Sequence, residues 1–226
     1  MMKNLFLFTI SFCCSNFTLA GSGGVGQLYG ETGALNKKFN ELEQKIREYS
    51  NQMNTYYEQS KKCRESFNSD SNLTNCSGKN VDSYVGGKMA SFQLANAERE
   101  KLIGSYKELA FKLGKFEKTN EYGGVKDPVE VQESLKFYSK WSTLQGSRMD
   151  LNDAILELKE RSAKIDENYK EVLTKSQVCS EVSKCSLIKQ AGKQLKANND
   201  SLRAMRALFD SESRMATLNS SSPGAK

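Results

Sequence analysis

Histidine is missing from all 226 residues. That absence excludes a Ser-His-Asp triad, a Cys-His nucleophile pair, an imidazole metal ligand and a histidine pH switch. Proline occurs twice and tryptophan once. So few prolines argue against many short strands joined by tight turns and fit long helices. The apolar run from Leu5 to Cys14 is near ten residues, against about 20 for a membrane-spanning helix. The charge surplus is small: 33 basic against 27 acidic residues, a net of +6. Such a mild excess suits solubility and attraction to acidic surfaces, and it is too diffuse to indicate nucleic-acid binding. Hydrophobic residues make up 38% and charged residues 27%, leaner than an average globular domain but richer than disorder requires.

The N-terminus has its own order. Lys3 is followed by a greasy stretch, Leu5 to Cys14, and then by a more polar segment ending Thr18-Leu19-Ala20. Charge, apolar run and small residue in that sequence mark a secretory signal, with cleavage expected after Ala20. A lipoprotein anchor is the rival reading. It fits poorly, because Phe12 precedes Cys13 and Cys13 precedes Cys14, where lipid attachment needs a small residue. Removing residues 1–20 takes Lys3 away and lowers the formal charge from +6 to +5. Four cysteines then remain: Cys63, Cys76, Cys179 and Cys185. An even count in an exported chain points to disulfides. Three connectivities are open, and the local pairs Cys63–Cys76 and Cys179–Cys185 are favoured, since each flanks a short polar segment between helical patterns. Separations of 13 and 6 without histidine fit neither a zinc ribbon nor a CxxC redox motif.

Apolar residues recur at helical spacing. Leu35, Phe39, Leu42, Ile46, Tyr49, Met53 and Tyr56 step by four and three, an a/d seam. Leu102, Tyr106, Leu109, Leu113 and Phe116 repeat the pattern, with a start expected near Met89 or Phe92. After Gly123-Gly124 and Asp127, Pro128 suits the first turn of another helix. Val131, Leu135, Tyr138 and Trp141 give that helix an apolar face, and Gly146-Ser147 are expected to kink or end it. Two further seams follow. One is Leu151, Ile155, Leu158, Ser162, Ile165, Tyr169 and Val172; the other is Ile188, Ala191, Leu195, Asn198, Leu202, Met205 and Phe209. The short polar link between them predicts an αα-hairpin. Asn198 on a seam either sets register or faces solvent.

The fold expected is all-α: an elongated antiparallel bundle of three long helices with a smaller helical appendage. The divisions are a signal at 1–20, a flexible leader at 21–34, a bundle helix at 35–62, the appendage with its loops at 63–147, the αα-hairpin at 148–214 and a disordered tail at 215–226. No catalytic, cofactor-binding or metal-binding residues stand out, and neither a small-molecule substrate nor nucleic acid is expected as a partner. Gly21 to Gly26 lacks the strand and the Gly-Lys-Ser/Thr of a phosphate loop. Carboxylate pairs such as Glu157 and Glu160 lie among lysines on polar faces, where surface pairing explains them. The lone Trp141 is a possible binding anchor, with burial in the core as the alternative.

The export signal ending Thr18-Leu19-Ala20, the first helix from Leu35 to Tyr57 and the polar helix pair from Leu151 to Met205 together resemble the minor pilins of bacterial type IV secretion and conjugation systems. The resemblance is one of layout. It implies a non-enzymatic structural and adhesive subunit at a pilus tip, assisting assembly and touching a recipient or host cell. It also implies a three-helix bundle with an appendage, partners among other pilus or secretion-channel subunits, and a place in the periplasm and on the surface of a Gram-negative bacterium. The alternative class is a soluble periplasmic helical protein acting as a binding module, chaperone-like clamp or inhibitor.

Overall fold

A computed structural model describes residues 24–69, 76, 81–121, 128–178 and 182–210. Those residues are all-helical apart from short turns. Four helices follow one another: α1 (Gly24–Asn68), α2 (Val81–Glu121), α3 (Pro128–Gln177) and α4 (Val182–Phe209). The signal at 1–20, the tail at 215–226, Cys179 and the side chain of Cys185 lie outside the described residues, and with them the expected Cys179–Cys185 bridge.

The division into bundle and appendage does not match these elements. The segment 63–147 holds the end of α1, all of α2 and the first part of α3. Its helices are as long as the others, and α3 alone extends ~75 Å at 1.5 Å per residue. Residues 24–34, expected as leader, are already helical. The reason lies in the seam of α1, which begins earlier than its aromatic members show. Leu28, Thr32 and Leu35 continue the alternation backward, and Ser60, Cys63 and Phe67 continue it forward, all buried. Thr32 and Ser60 hid these ends because they are polar. Each disposes of its hydroxyl locally: Thr32 Oγ1 donates to the Leu28 carbonyl at 2.6 Å and Ser60 Oγ to that of Tyr57 at 2.8 Å.

Gly146-Ser147 do not end or kink the third pattern; α3 runs through them. Phe137, Leu144, Leu151, Leu158, Ile165 and Val172 recur every seventh residue and are all buried. This row sets the helix face, and it overrides the face expected from Val131, Leu135, Tyr138 and Trp141. Leu135 is 65% and Tyr138 40% exposed, and Trp141 is half-buried. One row further round, Ser147 and Ala154 are buried. Small residues at a helix contact let the neighbouring axis approach closely.

α1 packs on α3 and α2, and α4 packs on α3 and α2. The pairings give the directions. Arg47 reaches Glu157, Arg161 reaches the Ser50 carbonyl, Asn168 reaches Ser60 and Lys175 reaches Asn68. Both numbers rise together, so α1 and α3 run parallel. Tyr49 meets Phe92 and Glu31 meets Lys112, so α2 runs opposite to α1. Asp166 meets Arg206 and Lys159 meets Asp210, so α4 runs opposite to α3. α2 runs with α4, since Asp82 meets Asn198 and Arg99 meets Phe209, so the bundle mixes parallel neighbours (α1–α3 and α2–α4) with antiparallel ones (α1–α2 and α3–α4). The expectation of an antiparallel bundle of three long helices differs here in one respect: a helix of full length, α2, returns the chain before α3 starts.

Buried polar groups are placed where helix ends need them. Asn198, on the α4 seam, accepts the backbone N–H of Asp82 at 3.0 Å and the Gln194 amide at 3.0 Å. It thereby satisfies one of the free donors in the first turn of α2. Asp82 itself places a negative charge in that turn and accepts from Ser201. At the other end, Arg99 is 3% exposed and donates to the carbonyl of Phe209, the last residue of α4, at 3.2 Å. A cation there complements the negative end of the helix dipole.

Candidate functional site

The covalent feature is the Cys63–Cys76 disulfide, with an S–S distance of 2.12 Å across a separation of 13 residues. Cys63 is fully buried on the α1 seam and Cys76 is 6% exposed. The bond ties Cys76 to the buried α1 seam. It is one of the two bridges favoured by the sequence.

Trp141 sits on the side of α3 facing α2. Its ring stacks on Tyr106 with centroids 5.1 Å apart and planes 16° from parallel. Arg148 lies over the opposite partner of that stack, 4.9 Å from the Tyr106 ring centroid. Nearby, the Lys140 ammonium stands 3.6 Å from the Tyr29 ring centroid. Each contact joins a cation to the electron-rich face of a ring. Trp141 therefore helps tie α2 to α3. The sequence offered its spacing but not its stacking partner, Tyr106, which comes from 35 positions upstream on α2.

Two shallow grooves lie on the surface. One, of about 170 Å³, is lined by Asn54, Tyr57, Glu157, Glu160, Arg161 and Lys164 between α1 and α3. The other, of about 260 Å³, lies between α1 and α2 and includes Glu31, Lys38, Glu108 and Lys112. Both mix charges of both signs, and the second is lined by Ala34, Leu35 and Leu109 as well. In the first, Arg161 donates to Glu157 at 2.7 Å and to the Ser50 carbonyl at 2.9 Å, so the guanidinium is held by α1 and α3. Glu157 also meets Arg47 at 3.3 Å. Of the two carboxylates that the sequence places on this polar face, Glu157 is engaged by an inter-helix and an i,i+4 pair, while Glu160 enters no ion pair among the described residues.

Among the described residues no group of three or more Cys, Asp or Glu side chains is placed to hold a metal ion, and no helix is long and apolar enough to cross a membrane. Burial raises the Tyr84 and Tyr169 phenols to about 12, with nearby tyrosines adding to the effect. Tyr84 O–H donates to Gln52 at 2.7 Å. Glu171 is held below the usual carboxylate range by its hydrogen bond from Lys175. These shifts follow from helix packing and side-chain pairing.

No protein-family model matches this chain, and no curated protein or solved structure detectably matches it.

Proposed function

We propose that the chain is a non-enzymatic structural and adhesive subunit of a type IV secretion or conjugation pilus, assisting pilus assembly and cell contact. The observation that supports this most is the Cys63–Cys76 bridge at the core of a long helical rod. Disulfides persist in oxidising compartments such as the bacterial periplasm. The order of charge, apolar run and small residue in residues 1–20 supports export to the same place. A rod of helices whose outer faces are charged and whose seams are sheathed by one another leaves long surfaces for docking, as a pilus component needs.

The finer layout belongs to this reading: a bundle core made by α1 with the α3–α4 hairpin, and α2 as the added element. Partners would be other pilus or secretion-channel subunits and the surface of a recipient or host cell. The test is shearing of surface pili from a strain carrying the gene, followed by immunoblotting of the pilus fraction. Recovery with the pili, and loss of transfer on gene deletion, are expected. Recovery only in free periplasmic fluid, with transfer intact on deletion, would overturn the proposal in favour of a periplasmic binding or chaperone-like protein.

A further inference from the structure

Charge counted by helix isolates α4. Basic residues exceed acidic ones by one in α1 and by one in α2, and acids exceed bases by one in α3. α4 has six basic residues against one acid, Asp200. Almost the whole surplus of the chain is therefore on its shortest helix. The surplus is also ordered. Lys189, Lys196 and Arg203 recur every seventh residue and all are exposed. Among the described residues Lys189 and Lys196 enter no ion pair, and Arg203 makes one at 3.4 Å to Asp166.

α3 bears the opposite pattern. Asp153, Glu160 and Glu167 also recur every seventh residue, are exposed, and enter no ion pair among the described residues. A seven-residue row keeps to one side of a helix within a bundle. Each row spans 14 residues, ~21 Å at 1.5 Å per residue. The two ridges have equal length, equal period and opposite sign. Beside the acidic row, Met149 and Leu156 are 60% and 53% exposed. The aliphatic stems of lysines cover such apolar surface while their ammonium groups stay at its edge.

We propose that these ridges bind each other between copies of this chain, the α4 basic row of one molecule seated on the α3 acidic row of the next. Antiparallel seating matches Arg203 with Asp153, Lys196 with Glu160 and Lys189 with Glu167. Within one molecule Arg203 lies beside Asp166. Seating it on Asp153 of a neighbour shifts that neighbour thirteen residues along the helix, roughly 20 Å. The contact joins two different surfaces, keeps all copies pointing the same way and adds an axial step. Such a heterologous contact does not close on itself and propagates as a staggered array. The inference stands independently of the pilus reading.

The experiment is sedimentation velocity of the intact chain over a range of protein concentration, at ionic strengths of about 0.01 M and about 1 M, where the screening length falls from ~30 Å to ~3 Å. Species larger than dimers that grow with concentration in low salt and dissolve in high salt are expected. E160K/E167K and K189E/K196E should each remain monomeric. Mixing the two should restore association, because the basic α4 of the first meets the acidic α3 of the second. The quadruple exchange in one chain should restore it too. Circular dichroism of each variant checks that the helices persist. A monomer at every concentration in low salt would overturn the proposal, as would growth that stops at a dimer or variants that associate like the parent.

Discussion

Opening the Cys63–Cys76 bond should lower stability by about 3 kcal/mol without dispersing the bundle. The magnitude comes from the loop the bond closes. A separation of 13 residues corresponds to about 3 kcal/mol of lost chain entropy in the unfolded state. For a chain of this size each kcal/mol moves the midpoint by about 2–4 °C, so a fall of about 6–12 °C is expected. Reduction isolates the cross-link, since both sulfurs stay in place. C63A/C76A adds a small cavity at the fully buried Cys63 position and should fall slightly further. The assay is thermal melting followed by circular dichroism, with and without a reductant. Hydrogen exchange should locate the change at the end of α1 and around Cys76, the positions the bond joins. A midpoint that moves by less than about 2 °C would refute the reasoning, because the bond would then not be restricting the unfolded chain.

Phe39 is wholly buried on the α1 seam, and Phe39→Ala should cost about 3–5 kcal/mol in urea unfolding; a cost under about 1 kcal/mol would show that the α1–α3 contact is not tightly packed. Asn168→Ala removes the 2.9 Å donor to Ser60 and should destabilise by about 1–3 kcal/mol, read from the same denaturation curves. Arg99→Met should loosen the last turn of α4, where the guanidinium meets the Phe209 carbonyl; faster amide exchange at residues 205–209 is the readout, and unchanged rates would count against the cap. For Tyr84 and Tyr169 the folded phenols titrate near 12, above the ordinary value of 10. Their contribution is complete below pH 10 and is lost as pH rises from 10 towards 12, because the unfolded chain ionises first. Ultraviolet titration should show two late phenols, with helix content declining over the same interval.

Much of the architecture was written in the spacing of apolar side chains. The seams from Leu35 to Met53 and from Leu151 to Val172 are buried residue for residue. Pro128 opens α3 as its missing N–H predicts. What escaped was the polar part of the core. Thr32, Ser60, Ser147 and Asn168 are buried, yet as letters they read like breaks in a stripe. Thr32 and Ser60 are satisfied by carbonyls one turn away, and the Asn168–Ser60 bond joins residues 108 apart, a partner that no local reading supplies. Val81 and Val85 likewise extend the α2 seam well before Met89, but Gly86-Gly87 beside them reads as a loop. Of the candidate site residues, Cys63 and Cys76 stand out as a local pair flanking a polar segment, with three connectivities left open by the sequence, and the structure joins them. Trp141 could be flagged but not placed, because its stacking partner is on another helix. The charge ridges of α3 and α4 were visible only once burial showed which sides of those helices face outward.

The parallel pairing of α1 with α3 has a consequence for how the chain is born. Contacts such as Arg47 to Glu157 join residues 110 apart. At synthesis speeds of about 5–20 residues per second, the first helix waits about 6–22 s for its main companion to emerge. During that interval its greasy side lacks the α3 cover, and a holding factor would have to shield it. A protein built this way is poorly suited to maturing piece by piece, and its first helix stays without its main companion until more than half of the chain exists.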